Sequence, residues 1–191
     1  MQVTNHIFRA YDIRGIAMGD NPEITEEVAL HLGKATGTYL VRLGRKNLLC
    51  GRDGRKTNPA LQQAFIKGAL STGLNVHDIG LATSPMLYFG VSLPEYDCGV
   101  NVTASHNPKE YNGFKFSLRG ARPLSYEDGL FEIEHIMHSD DTFDVFQGHC
   151  SIAENKAYIS DLVSRFKTTS FKGLKVVVDS GNGVGAITYP K

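Results

Sequence analysis

The chain has 191 residues, 41% of them hydrophobic and 21% charged, and a formal net charge of zero. With no basic excess, a nucleic-acid or anionic-membrane partner is not expected. No apolar run approaches the ~18 residues that cross a bilayer, and the polar start, residues 1–6, lacks a signal-peptide core. The length fits about one domain with extra sequence.

Taken in chain order, helical and extended segments alternate, which predicts an α/β layer structure. Thr25 reads as an N-cap with Glu26 and Glu27 in the first turn. Val28, Leu32, Ala35 and Tyr39 then line one helix face. Residues 47–51 (N-L-L-C-G) read as a short buried strand ending in a Gly-rich turn. Asn58 and Pro59 open a second helix with Leu61, Ala64, Phe65 and Gly68 inside, and Gly73 stops it. A strand over 76–81 follows. Ser84 and Pro85 start a third helix through Met86, Tyr88, Phe89 and Val91.

Residues 99–103 and 114–118 read as strands flanking a polar loop. Residues 120–123 turn into a helix near 126–137, with Leu130, Ile133, Ile136 and Met137 on its apolar side. Residues 138–147 are polar, with Asp140, Asp141 and Asp144, and read as a surface connection. Tyr158, Leu162 and Phe166, four apart, mark another helix. Residues 174–179 read as a buried strand, followed by a Gly-rich loop.

These elements predict a three-layer α/β/α domain with a mainly parallel, mixed sheet over 1–137. A linker over 138–153 and the start of a second α/β domain over 154–191 follow. An unpaired strand and apolar face in that last piece invite self-association. Cys50, Cys98 and Cys150 are odd in number and far apart, so they fit neither a zinc pair nor a disulfide framework. Cys50 and Cys98 fall in strands and read as buried thiols in a reducing compartment, the cytoplasm.

Chemistry concentrates in 102–116, V-T-A-S-H-N-P-K-E-Y-N-G-F-K-F. Ser105 sits in a tight polar loop between two strands. A serine so held can carry a phosphoryl group whose charge nearby cations and backbone N–H groups neutralise. Read alone, it is more readily a turn-capping serine before Asn107–Pro108, because turn serines are abundant. His106, adjacent in sequence, is poorly placed as a hydrolase base, and no G-x-S-x-G elbow exists. It fits better as a hydrogen-bonding group beside the serine. Lys115 can reach back towards Ser105 and stabilise transition-state charge; alternatively it is a solvent lysine on an edge strand. Arg14 offers a donor fork suited to phosphate oxygens, or an ion pair with Asp12. Arg52 and Asp53, at a strand-to-helix turn, are either a phosphate contact or an internal ion pair. Gly181, Gly183 and Gly185 do not complete G-x-G-x-x-G, and no histidine pair has metal-ligand spacing.

T-A-S-H-N-P with Y-N-G-F-K, together with F-R-A-Y-D-I-R-G (8–15), G-R-D-G-R (51–55) and V-V-V-D-S-G-N-G-V (176–184), resembles the phosphohexomutases. The four stretches occur in that family's order. Lys109–Glu110–Tyr111 runs straight into Asn112–Gly113 without a Gly-Gly-Pro insertion, and G-A-R-P-L-S (120–125) agrees. Both favour the bacterial phosphomannomutase/phosphoglucomutase branch over the eukaryotic type, with phosphoglucosamine mutase the nearest competitor.

The resemblance implies a Mg²⁺ enzyme interconverting hexose 1-phosphate and 6-phosphate through a phosphoserine and a bisphosphorylated hexose. It implies that Ser105 carries the phosphoryl group and binds the metal through it. Arg14 and Lys115 would assist proton transfer, with His106 beside them. Tyr11, Asn107 and Arg52 would contact substrate or phosphate. The family's D-G-D-G-D-R metal loop is absent, and Asp140–Asp141 has neither its spacing nor its glycines. The chain therefore reads as the phosphoserine domain plus the opening of the next, inactive as a mutase alone. A non-catalytic phosphosugar-binding module of the same fold is the alternative.

Overall fold

The computed structural model describes residues 5–139, 146–154, 156–168 and 170–189. Asp140, Asp141 and Asp144 lie outside the described residues. The strands are β1 (Asp12–Ile16), β2 (Asn47–Arg52), β3 (Asn75–Leu81), β4 (Cys98–Val102), β5 (Tyr111–Leu118), β6 (Arg122–Pro123) and β7 (Cys150–Ile152). They form one mixed sheet in the order β1-β5-β4-β2-β3-β7, with β6 on β5. The strands β4, β2, β3 and β7 run parallel, and β5 runs antiparallel to β4, β1 and β6.

The helices are α1 (Glu26–Arg42), α2 (Asn58–Leu70), α3 (Ser84–Ser92), α4 (Phe131–His138) and α5 (Lys156–Arg165). The expected N-cap forms: Thr25 is extended and its hydroxyl accepts from Val28 N–H at 3.2 Å. Thr83 caps α3 the same way, accepting from Met86 N–H at 3.3 Å. The larger core cluster joins α1, α2 and α4 to one sheet face and contains Leu32, Phe65, Val100, Phe114 and Ile133. A smaller cluster under α3 on the other face holds Leu49, Leu87 and Val91. This is the predicted α/β/α layering. Phe65 of α2 meets Phe114 of β5 with ring centroids 5.4 Å apart, within the favoured range for aromatic pairs.

Two glycines set the approach of α1 and α2. A Cβ on Gly33 would lie 2.1 Å from Phe65 O, and one on Gly68 would lie 2.1 Å from Leu30 O. Any larger residue would wedge the helices apart.

Three local expectations change. Residues 150–152, read as part of a connection, form β7 on the free edge of β3, where they complete backbone pairing that β3 would otherwise lack. The helix expected near 126–137 splits into a π-turn over Tyr126–Leu130 and α4, because Gly129 leaves helical geometry at φ 152°. Residues 174–179 form no strand: no described residue pairs with them, and Leu174, Val176 and Val177 are 67%, 75% and 96% exposed. A strand needs a neighbour to satisfy its ladder, and apolar residues alone do not supply one.

Candidate functional site

The 103–110 loop connects β4 to β5 at the carboxyl ends of the parallel strands β2 and β4, the customary ligand edge of an open α/β sheet. Thr103 N–H still donates to Gly113 O at 2.9 Å, so the loop starts from a closed ladder. Gly113 is required there: a Cβ would sit 2.0 Å from Ile13 O on β1.

Ser105 is exposed and lies in the left-handed region at φ 54°, uncommon for a residue with a side chain. A network below the loop holds it. Ser105 N–H donates to Thr103 Oγ1 at 2.9 Å, and that hydroxyl donates to Asp53 Oδ2 at 2.6 Å. Asp53 Oδ1 accepts from Arg55 N–H at 2.9 Å and from Asn58 Nδ2 at 2.5 Å. Asn58 also donates to Asp53 O and Val102 O, both at 3.0 Å. Asn112 Nδ2 donates to Asn58 Oδ1 at 2.5 Å and to Thr57 Oγ1 at 2.7 Å. The turn after β2, the start of α2 and the serine loop are thus one hydrogen-bonded body.

Arg55 grips the loop from beneath. Its Nη1 donates to Pro108 O at 2.7 Å and Tyr111 O at 2.9 Å, and its Nη2 to Ser105 O at 3.0 Å and Asn107 O at 2.7 Å. The sequence reading singled out Arg52 in this motif. Arg55 is the arginine that meets the serine loop. Asp53 accepts from the N–H two residues on, an Asx turn that carries the chain under the loop. The proposed Arg52–Asp53 ion pair does not form; Asp53 Oδ2 lies 3.6 Å from Arg55 Nε instead.

A cavity of about 530 Å³ opens above the loop, lined by Ser105, Asn107, Lys109, Arg55, Lys56 and Asn182 among others. Lys56, Lys109 and Asn182 were not foreseen as lining groups. Asn182 and Gly183 bring the S-G-N-G-V motif to the serine loop. His106 Nδ1 lies 3.3 Å from Ser105 Oγ, close despite the adjacency that argued against it. Arg14 forms the ion pair considered for it: its Nη2 donates to Asp12 Oδ2 at 2.5 Å, while its Nη1 donates to Asn107 Oδ1 at 2.6 Å. Its buried Nε has no partner. Lys115 is not on an edge strand, because β5 lies between β1 and β4. In register it stands between Asp12 and Asn101, half-buried.

Tyr11 is 58% exposed and lines a different cavity of about 400 Å³ with Phe8, Arg9, Ser125 and Tyr126. Neither Tyr11 nor Arg52 lines the Ser105 cavity. Among the described residues no group of three or more His, Cys, Asp or Glu is placed to hold a metal. Both Asp53 oxygens are already engaged within the turn. A Mg²⁺ ion, which prefers about six oxygen ligands, would find only the oxygens of a phosphate on Ser105 here, so the donor set does not fit a resident ion.

The cysteines are free. Burial pushes the Cys50 and Cys98 thiols far up, as inert core groups.

Comparison with known proteins adds the following. A family model described as phosphoglucomutase/phosphomannomutase, alpha/beta/alpha domain I, matches residues 5–144. A phosphomannomutase of Salmonella montevideo is 38% identical over 180 residues, covering 92% of this chain and 38% of the relative. A phosphomannomutase/phosphoglucomutase of Pseudomonas aeruginosa PAO1 is 35% identical over 191 residues, covering 97% of this chain and 38% of the relative. The chain thus spans little more than a third of the length of these relatives. A crystal structure of a phosphoglucomutase/phosphomannomutase family protein from Burkholderia thailandensis superposes with a TM-score of 0.76 at 32% identity. It covers 85% of this chain and 36% of that one.

Proposed function

Since the chain belongs to the phosphoglucomutase/phosphomannomutase family, we propose that Ser105 is the phosphoryl carrier of a hexose-phosphate mutase. In this reading a sugar hydroxyl attacks the phosphorus of phospho-Ser105. The Ser105 Oγ–P bond breaks, a new P–O bond to the sugar forms, and the hydroxyl proton leaves to a neighbouring group. The bisphosphorylated hexose then returns its other phosphoryl group to Ser105. The net result interconverts hexose 1-phosphate and 6-phosphate, with mannose or glucose phosphates as substrate.

The observation that carries the reading is the surroundings of Ser105. Its exposed hydroxyl borders a cavity lined by Arg55, Lys56 and Lys109, beside His106. Arg14 sits one contact away through Asn107. Phosphoryl transfer asks chiefly for positioning and neutralisation of three anionic oxygens, and cations serve both. Beyond the two donors it gives to Asp12 and Asn107, Arg14 keeps further guanidinium N–H groups for that purpose. Lys115, opposite Asp12 in the β1–β5 register, is the proton-transfer candidate. His106 hydrogen-bonds the serine or its phosphate, and Asn107 orients Arg14. Tyr11 and Arg52 keep roles only as outer contacts of a large substrate. Any Mg²⁺ would neutralise phosphate charge, with its remaining ligands coming from beyond the described residues.

The test is intact mass spectrometry after incubation with a hexose 1,6-bisphosphate. One phosphate should appear on the wild-type chain and none on Ser105→Ala. No uptake, or uptake persisting in the variant, would overturn the proposal. Conversion of mannose 1-phosphate to the 6-phosphate by the isolated chain should be undetectable, because the sugar-selecting groups are not among the described residues.

A further inference from the structure

We infer that the serine loop carries a backbone receptor for the phosphoryl group, made of the His106 and Lys109 N–H groups and aimed by Arg55. The inference rests on Ser105 being the phosphoryl carrier and adds the groups that hold the phosphate.

Arg55 fixes two peptide units by their carbonyls, Ser105–His106 through Ser105 O at 3.0 Å and Pro108–Lys109 through Pro108 O at 2.7 Å. Among the described residues no peptide bond is cis. In a trans peptide the C=O and N–H vectors point in opposite directions. With both carbonyls turned down onto the guanidinium, the His106 and Lys109 N–H groups are turned away from it. Neither donates to any protein group among the described residues.

Of the other positions from 104 to 110, Ala104 and Glu110 also donate to no protein group among the described residues, and the remaining three are accounted for. Ser105 N–H is taken by Thr103 Oγ1, Asn107 N–H by Ala104 O at 3.0 Å, and Pro108 has none. The two donors aimed by Arg55 therefore follow Ser105 by one and four positions on a loop whose Ser105, Asn107 and Lys109 line the cavity. The left-handed backbone of Ser105 belongs to the kind of turn in which successive N–H groups converge on an anion.

Arg55 is on this view a positioning residue. All four of its terminal N–H bonds go to carbonyls, so it is not available as a phosphate ligand. Its charge polarises the two peptides from behind and strengthens the donors on their far side. A lysine could reach one or two of the four carbonyls but lacks the planar fork that spans them.

The experiment uses the full 191-residue chain with phosphoserine installed at position 105 during translation, so that it does not depend on enzymatic phosphorylation. Amide proton shifts are followed by ¹H–¹⁵N NMR through the ionisation of the phosphate, near pH 6 for a free phosphoserine. The His106 and Lys109 amide protons should move downfield as the dianion forms, while Asn107, already bonded to Ala104, stays still. The phosphate should ionise at lower pH than in a free peptide.

In Arg55→Met the two shifts should shrink to those of an exposed loop, and Arg55→Lys should restore part of them. Unmoved His106 and Lys109 amides in the wild-type chain would overturn the inference, as would equal shifts in a folded Arg55→Met. Should Arg55→Met not fold, the wild-type comparison with Asn107 still decides. Failure of the bisphosphate mass experiment with success here would mean that the receptor exists but Ser105 is not the enzymatic carrier. The reverse would spare the carrier and remove the receptor.

Discussion

Replacing Asn58 by alanine tests whether the serine loop and the β2–α2 turn are one body. Asn58 is fully buried and makes four hydrogen bonds: to Asp53 O, Asp53 Oδ1, Val102 O and from Asn112 Nδ2. Three of those partners keep another bond. Asp53 Oδ1 retains Arg55 N–H, Val102 O retains Asp53 N–H at 3.1 Å, and Asn112 retains Thr57. Asp53 O is left with no other partner among the described residues. One orphaned, half-buried carbonyl costs about 1 kcal/mol, and each of three partly compensated bonds about 0.5 kcal/mol. The total is roughly 2.5 kcal/mol, or roughly 5–10 °C in Tm for a chain of this size. Urea unfolding followed by circular dichroism measures the free energy, and the amide spectrum of residues 103–110 reports loosening of the loop. A loss below about 1 kcal/mol with an unchanged loop spectrum would refute the network as the element that holds Ser105.

Two further outcomes follow from other parts of the molecule. Burial alone would raise the pKa of Asp97, but donation from Lys46 N–H, the Arg119 guanidinium and Asn47 N–H outweighs it and holds the carboxyl below its ordinary value. A lowered folded-state pKa means that the ionised form stabilises the fold above the unfolded value, and that this is lost as pH falls through the folded one. Asp97→Asn should therefore cost about 1–2 kcal/mol at neutral pH and flatten the acid limb of a pH-dependent unfolding series; an unchanged acid limb would count against it. The exposed apolar run Leu174, Val176, Val177 and Val178 should drive self-association, so Val177→Asp should lower the weight-average mass in sedimentation equilibrium at high concentration. A wild-type chain that stays monomeric there would refute this.

Much of the architecture could be read along the chain because its signals are local. Thr25 with Glu26 and Glu27, and Pro59 and Pro85 in the first turns of their helices, mark starts that tertiary context does not override. Ser105 was legible because hydroxyl, histidine and Asn-Pro turn fall within four residues. Arg55 was not, because an arginine three places beyond Arg52 looks equivalent until the Asp53 turn decides which one meets the loop. Asn58 reads as the opening of a helix and Asn112 as part of a motif, yet they meet across 54 positions of sequence. β7 and residues 174–179 fail in opposite directions for one reason. A short C-S-I becomes a strand because β3 has a free edge, and an apolar V-V-V does not because no described partner is beside it. Pairing is a property of two segments, and a single segment does not announce it.

β1 is the outermost strand on one side of the sheet, and it carries Asp12 and Arg14. Charges on such a border discourage a second molecule from docking strand to strand. Arg14, proposed above to handle phosphate, thus sits where a charge also disfavours edge pairing. Neutralising it to probe chemistry would remove a safeguard of solubility in the same stroke. A dead Arg14 variant means something only when its light scattering matches that of the parent.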